Sequence, residues 1–114
     1  IRGVSFVHLI EPRSSFAGMQ DDSLEGKPQT ALFFRSALKP ILISAGGHTP
    51  FSAYEYINNN LADAVAFGRH FISNPDLPER IRRSWPLTPY DRATFYGGDA
   101  KGYTDYLPRN EQAA

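Results

Sequence analysis

The chain has 114 residues, enough for one small domain, and 41% of them are hydrophobic, which is ordinary for a globular protein. Its 12 basic and 12 acidic residues balance, so the charge implies no attraction to nucleic acid or to membranes. The lack of cysteine excludes disulfides and thiolate metal sites. No apolar run approaches the roughly 20 residues that span a bilayer, and no signal-peptide pattern is present, so we expect a cytoplasmic protein.

The first third of the chain predicts a strand, a loop and a helix. Val4–Ile10 is rich in β-branched and apolar residues and predicts a buried strand, which ends at Pro12 because proline removes a ladder donor. Ser14–Pro28 is polar and contains glycine, and it predicts a loop of about 15 residues, a length that is often functional. Apolar residues at helical spacing predict a short helix within Gln29–Leu38.

Two strands that run into glycine occupy the centre of the chain. Ile41–Ser44 predicts a strand followed by Gly46 and Gly47, and Asp63–Phe67 predicts a strand followed by Gly68. The connection between them is long enough for a crossover helix, so we expect the two strands to be parallel and adjacent. Both glycine turns then lie at the carboxyl edge of the sheet, where α/β sheets bind ligands.

Two further helices and a tail complete the predicted elements. Thr49 is a suitable N-cap and Pro50 a suitable first helical residue, so a helix is predicted to begin there. Its predicted apolar face consists of Ala53, Tyr54, Ile57 and Leu61. Apolar residues at every fourth position predict a last helix over Leu77–Trp85, and the aromatic-rich residues 90–114 predict an irregular tail.

The alternation of strands and helices predicts a parallel α/β sheet, which could be open or one sector of a (β/α)₈ barrel. The residues Gly46, Gly47, Gly68 and Arg69 collect at its carboxyl edge. Backbone N–H groups of glycine turns, together with a guanidinium, can cradle a phosphate. The competing interpretation is that the turns simply need glycine and that Arg69 forms a surface ion pair.

The three histidines do not have the spacing of a metal-binding motif. We therefore assign His8, His48 and His70 to packing and hydrogen bonding, with His48 the best placed of the three to line a pocket. No metal site is predicted. No serine has the nucleophile-elbow pattern either, so no nucleophile with a partnered base is identified.

Charged residues elsewhere have simple structural interpretations. Glu11 and Arg13 flank Pro12 at a strand end and could face a pocket, although an ion pair between neighbouring loops explains them as well. The arginine group of the last helix is predicted to lie on a solvated face. It consists of Arg80, Arg82 and Arg83.

Two long motifs resemble the old yellow enzyme family, especially its fungal flavin-dependent ene-reductases. They are AFGRHFISNPDLPERI at residues 66–81 and PLTPYDRATFYGGDAKGYTDY at residues 86–106. The segments VHLIEPR at residues 7–13 and ISAGG at residues 43–47 resemble family segments in the same order. The resemblance covers nearly the whole chain and is weak only over Ser14–Leu38.

The resemblance implies a (β/α)₈ barrel with non-covalently bound FMN. NAD(P)H would reduce the flavin, which passes hydride to the β-carbon of an activated alkene such as an enone or enal. The three predicted strands would then be barrel strands six, seven and eight. The resemblance places Gly46, Gly47, Gly68 and Arg69 at the FMN phosphate.

The resemblance also assigns two aromatic residues. Tyr96, in the TFY motif, corresponds to a tyrosine that lines the substrate pocket. Phe16 corresponds loosely to an aromatic residue on the loop after strand six. The family's proton-donating tyrosine and its substrate-anchoring pair belong to earlier strands, so no catalytic residue is assigned in this chain.

On this basis, residues 1–114 are expected to form a single partial domain with an irregular tail at 90–114. The chain begins with Ile1, and we expect a fragment or truncated product that is inactive without the N-terminal part of the barrel. Fungal relatives act in secondary metabolism, which is a possible context. The alternatives are a small phosphate- or partner-binding α/β module without redox activity, or a non-functional remnant.

Overall fold

A computed structural model of the chain describes residues 3–12 and 29–109. The predicted loop Ser14–Pro28, which includes Phe16, lies outside the described residues, and so does Arg13. The chain divides into two compact units, Ile1–Phe67 and Gly68–Ala114. The elements in chain order are β1 (Phe6–Ile10), α1 (Thr30–Arg35), β2 (Ile41–Ala45), α2 (Pro50–Asn58), β3 (Ala64–Ala66), α3 (Arg69–Ser73), α4 (Leu77–Arg82) and a 3₁₀ turn (Arg92–Thr94).

The three strands of the first unit form a parallel sheet in the order β1-β2-β3. This confirms the predicted parallel and adjacent arrangement. Ile10 pairs with Ala45, and Ala45 pairs with Ala66, so the three strands end at the same level. The segments that leave β1, β2 and β3 therefore all start at one edge of the sheet.

Side chains alternate between a packed face and a bare face of this sheet. Leu42 on the packed face is fully buried with Ala31, Tyr56 and Ala62. The bare face carries Phe6, Ile10 and Ile41, which are 56%, 70% and 56% exposed. Helices on one side only are what a sector of a (β/α)₈ barrel shows, because its inner face packs against other strands.

Helix α2 begins as predicted and faces the core differently from the prediction. Thr49 and Ser52 form a reciprocal capping box, and Pro50 occupies the first turn. The buried positions are Ala53 and Tyr56, whereas the predicted Tyr54 is 64% exposed and Ile57 is 43% exposed. The prediction is therefore confirmed for Ala53 and for Leu61, which packs against the core, and wrong for Tyr54 and Ile57. The ring of Tyr56 turns inward because it packs edge-on against His48, with centroids 4.7 Å apart.

In the second unit, α4 ends at Arg82, three residues before the predicted end. Ser84 adopts a φ of 53°, which is incompatible with continuing the helix. Arg82 and Arg83 lie on the exposed face as predicted, but Arg80 is only 2% exposed, so its predicted solvated position is wrong. Its guanidinium turns inward because Asp76 and the segment after α4 provide hydrogen-bond acceptors.

Candidate functional site

The turn that follows β2 needs both of its glycines. Gly46 has a φ of 101° and Gly47 a φ of 65°, so both lie in the left-handed region. A residue with a Cβ would pay roughly 1–2 kcal/mol at such a position. Two consecutive residues without side chains are also typical of a turn whose backbone a ligand approaches closely.

Glu11 anchors the base of this turn. Its carboxylate is 1% exposed and accepts hydrogen bonds from the N–H groups of Thr30 and Ala31, at 2.7 and 3.1 Å. It also accepts from the hydroxyl of Ser44 at 3.0 Å, while the Glu11 N–H donates to the Ala45 carbonyl at 2.8 Å. Glu11 thus joins β1, the start of α1 and the end of β2, whereas the predicted ion pair involves Arg13 and so stays a prediction.

Gly68 and Arg69 begin the second unit, directly after the strand β3 and Phe67 in sequence. A Cβ at Gly68 would meet nothing within 4 Å, and its φ is ordinary at −101°. Neither backbone conformation nor packing among the described residues therefore requires glycine at this position. A group that approaches the backbone closely, such as a phosphate, would require it.

Arg69 is half-buried, and its guanidinium lies 5.9 Å from the centre of the Tyr90 ring. Burial lowers the pKa of Arg69 from its ordinary value, and the positive charge of Arg92 lowers it further, against an opposing effect of Tyr90. Arg92 therefore adds positive charge to the surroundings of Arg69. Sequence reasoning missed Arg92, whose only indication was its place in the YDRATFY motif.

Tyr96 belongs to a cluster of aromatic rings that includes Tyr90, the ring beside Arg69. The rings of Tyr90 and Phe95 are 5.7 Å apart, and those of Phe95 and Tyr96 are 6.4 Å apart. Tyr96 is 81% exposed and has a φ of 60°, which is strained for a residue with a side chain. A strained backbone that presents a large aromatic ring to its surroundings is typical of functional positions.

The histidines have different environments. His48 is 2% exposed and hydrogen-bonded, so it packs as assigned. The ring of His70 lies 5.3 Å from that of Tyr90, and burial, followed by the charge of Arg69, lowers its pKa. His8 is exposed on the bare face of the sheet. Within the described ranges, no group of three or more His, Cys, Asp or Glu residues is arranged to hold a metal ion.

The predicted site residues thus fall into two groups. Gly46 and Gly47 belong to the first unit, and Gly68, Arg69 and Tyr96 belong to the second. Arg69 and Tyr96 share one aromatic cluster within their unit. That all four cofactor residues hold one phosphate stays a prediction. Among the described residues, no helix is long and apolar enough to cross a membrane.

A three-stranded parallel sheet with helices on one side, and a glycine turn where β2 ends, is the arrangement that one sector of a (β/α)₈ barrel has. The family model for NADH:flavin oxidoreductases and NADH oxidases matches residues 1–88, and the chain belongs to this family. FMN is the cofactor of the family. The resemblance to the old yellow enzyme family is thereby confirmed.

Individual relatives agree with this assignment. The chain is 44% identical to the flavin oxidoreductase hxnT of Emericella nidulans, over 90% of this chain and 29% of that protein. It is 41% identical to 12-oxophytodienoate reductase 2 of Arabidopsis thaliana, over 91% of this chain and 27% of that protein. The chain therefore spans less than a third of the length of these relatives.

Solved structures show the same partial correspondence. Morphinone reductase superposes with a TM-score of 0.78 and 38% identity, covering 99% of this chain and 29% of that structure. The old yellow enzyme from Trypanosoma cruzi superposes with a TM-score of 0.75 and 30% identity, covering 92% of this chain and 26% of that structure. These proteins are TIM barrels, and the chain corresponds to a part of such a barrel.

Proposed function

We propose that this chain is the FMN phosphate-binding part, comprising strands six to eight, of an NAD(P)H-dependent ene-reductase. One observation carries the proposal. β2 and β3 end in register, and each is followed within two residues by glycine, in a chain that belongs to an FMN family. In the complete barrel, both units would be parts of one domain, and the tail at residues 90–114 would pack against it.

In this proposal the phosphate is held by the backbone at Gly46, Gly47 and Gly68 and by the side chain of Arg69. A guanidinium can donate two parallel hydrogen bonds to phosphate oxygens, and each such charge-assisted bond is stronger than a neutral one. The residues fit the group in two respects. The space beside Gly68 is open, and the burial that lowers the Arg69 pKa would be offset by a bound anion.

The bound flavin would supply hydride transfer from NAD(P)H to an activated carbon–carbon double bond. A morphinone reductase structure contains tetrahydroNAD, which supports a nicotinamide partner. Relatives are named for reduction of 12-oxophytodienoate and of chanoclavine-I aldehyde, the latter in the fungus Penicillium roqueforti. We therefore propose an enone or enal substrate that binds in a pocket lined by Tyr96. A fungal secondary-metabolic role and a cytoplasmic location stay predictions.

We further propose that the 114 residues alone do not catalyse turnover, because a site that holds only the phosphate leaves most of the flavin ring unsupported. The second candidate is a phosphate- or partner-binding module without redox activity. It is favoured only if the chain alone unfolds in a sharp thermal transition without FMN. A broad transition for the chain alone, and turnover only within a complete barrel, would favour the ene-reductase.

The test uses a hybrid protein in which this chain replaces the matching segment of the Emericella nidulans flavin oxidoreductase. We expect the hybrid to purify yellow and to oxidise NADPH with 2-cyclohexenone. Arg69→Ala should raise the Kd for FMN by roughly 10- to 100-fold, the cost of a charge-assisted hydrogen bond, and leave the Kd for riboflavin unchanged. Tyr96→Ala should raise the KM for the enone at unchanged FMN affinity.

The matched control is Arg82→Ala, because Arg82 is 71% exposed and pairs with Glu79 on the surface of α4. It should change neither Kd. Circular dichroism and gel filtration establish that each variant is folded. A folded hybrid that binds FMN no better than riboflavin, or an Arg69→Ala variant that behaves like Arg82→Ala, would overturn the proposed phosphate site.

A further inference from the structure

The side chains of Ser44 and His48, which flank the glycine turn after β2, contact each other. Nε2 of His48 lies 2.9 Å from Oγ of Ser44, four residues earlier, so this contact spans Gly46 and Gly47. Ser44 is fully buried and His48 is 2% exposed. The contact is therefore shielded from water, where a hydrogen bond is stronger than on the surface.

The direction of these hydrogen bonds follows from the donors available. The Ser44 hydroxyl has one proton and donates it to the Glu11 carboxylate, 3.0 Å away. Its oxygen must then accept from His48, which assigns the proton of the imidazole to Nε2. The chain of bonds thus runs from His48 through Ser44 to Glu11, and Glu11 is itself fixed by two backbone N–H groups of α1.

The imidazole is also held from its other side. With its proton on Nε2, the ring accepts at Nδ1 from Oγ of Ser52, 3.3 Å away in the first turn of α2, which shares its one proton with the Thr49 carbonyl at 3.2 Å, and the ring meets Tyr56 edge-on. The two ends of the turn are therefore tied to β1 and to α2. Glycine loses more conformational freedom on ordering than any other residue, so a turn with two glycines is costly to order when a ligand binds.

We propose that Ser44 and His48 are positioning residues that order the Gly46–Gly47 turn before the FMN phosphate binds. The inference rests on the proposed function, because it assigns a role to side chains that do not contact the phosphate themselves. The turn loses its conformational entropy when the protein folds and the bonds to Glu11 and Ser52 form, so this loss does not weaken ligand binding. The contribution therefore appears only in the part of the affinity that depends on the phosphate.

Comparison of FMN with riboflavin, which lacks the phosphate, isolates this contribution in the hybrid. His48→Phe keeps an aromatic ring against Tyr56 and removes the bond to Ser44, and Ser44→Ala removes the same bond from its other end. Each should raise the Kd for FMN by roughly tenfold, the value of one buried hydrogen bond, at an unchanged Kd for riboflavin. His48→Gln is the matched control, because its amide can still donate to Ser44 and should retain the FMN preference.

The outcomes separate this inference from the function on which it rests. Both turn variants keeping the FMN preference, while Arg69→Ala loses it, would overturn the positioning role alone. Parallel loss of FMN and riboflavin affinity would overturn it as well, since general destabilisation affects both ligands. A hybrid without any FMN preference would overturn the phosphate site and the positioning role together.

Discussion

Arg80 is buried in the second unit as the centre of a hydrogen-bond network. Its Nε donates to Asp76 at 2.7 Å, and its Nη1 donates to the carbonyl of Pro86 and the hydroxyl of Thr88, both at 3.1 Å. The side-chain oxygen of Asn74 accepts from the Thr88 N–H at 2.7 Å. These bonds fix residues 86–88 against α3 and α4, immediately before the aromatic cluster that contains Tyr90.

Replacement of Arg80 should therefore destabilise the protein far more than replacement of its exposed neighbour. Arg80→Ala leaves the Asp76 carboxylate and two further acceptors without their donor, and we expect a loss of about 3 kcal/mol in the free energy of unfolding. Arg82→Ala on the same helix should cost less than about 0.5 kcal/mol. Urea unfolding of the two hybrid variants makes the comparison, and equal losses would contradict the structural role of Arg80.

Among the elements, Asp63 links the start of β2 to the end of α1. Its carboxylate accepts from both terminal nitrogens of Arg35, at 2.7 and 3.1 Å, and from the Leu42 N–H at 2.8 Å. The hydrogen bond from Arg35, followed by that from Leu42, lowers the pKa of Asp63 below its ordinary value of 3.8. The pair is partly exposed, so solvent weakens it.

This link predicts how stability depends on pH. The native pKa of Asp63 is the lower one, so the unfolded state binds more protons and stability is lost as the pH falls below 3.8 towards the native value. The stability difference between the parent hybrid and its Asp63→Asn variant should therefore shrink on acidification. Urea midpoints across a pH series measure it. Arg35→Gln should reduce the same pH dependence in part, and parallel curves for all three proteins would refute the link.

The sequence predicted the elements better than their buried faces. Hydrophobic periodicity and the residues that begin or end an element, such as Thr49-Pro50 or Gly46, are local properties of the sequence. They were sufficient to predict the parallel sheet and the start of α2. Burial of Arg80 depends on acceptors in the irregular segment after α4, and burial of Tyr56 depends on the rotation of a short helix. From sequence alone, a charged or aromatic residue is predicted to be exposed unless such contacts are known.

For the same reason, the sequence could predict the residue types of the candidate site but not the contacts that support them. Glycine at 46 and 47 is required by a local backbone conformation, which the sequence indicates directly. The support from Glu11, Ser44 and His48 consists of hydrogen bonds between residues up to 33 positions apart, and nothing in the spacing of these residues indicates it. Arg92 was missed likewise, because its proximity to Arg69 depends on how the tail folds back within the second unit.

At the scale of the whole molecule, the bare face of the sheet is the main consequence of the architecture. Phe6, Ile10 and Ile41 place three large apolar side chains on one exposed surface. In a complete barrel these side chains would fill the interior together with those of the other strands. The same surface should therefore have opposite effects in the isolated chain and in the hybrid.

Ile10→Asn tests this reversal. In the hybrid, the polar amide would be buried without a partner and would replace a side chain that packs in the barrel interior, so the free energy of unfolding should fall by about 3 kcal/mol. In the isolated chain, where Ile10 is 70% exposed, the same change should reduce ANS fluorescence and self-association instead. Ile10→Val is the matched control and should cost about 1 kcal/mol in the hybrid with little effect on the isolated chain. If Ile10→Asn left the hybrid as stable as Ile10→Val, residue 10 would face solvent there, and the assignment of this sheet to a barrel interior would be wrong.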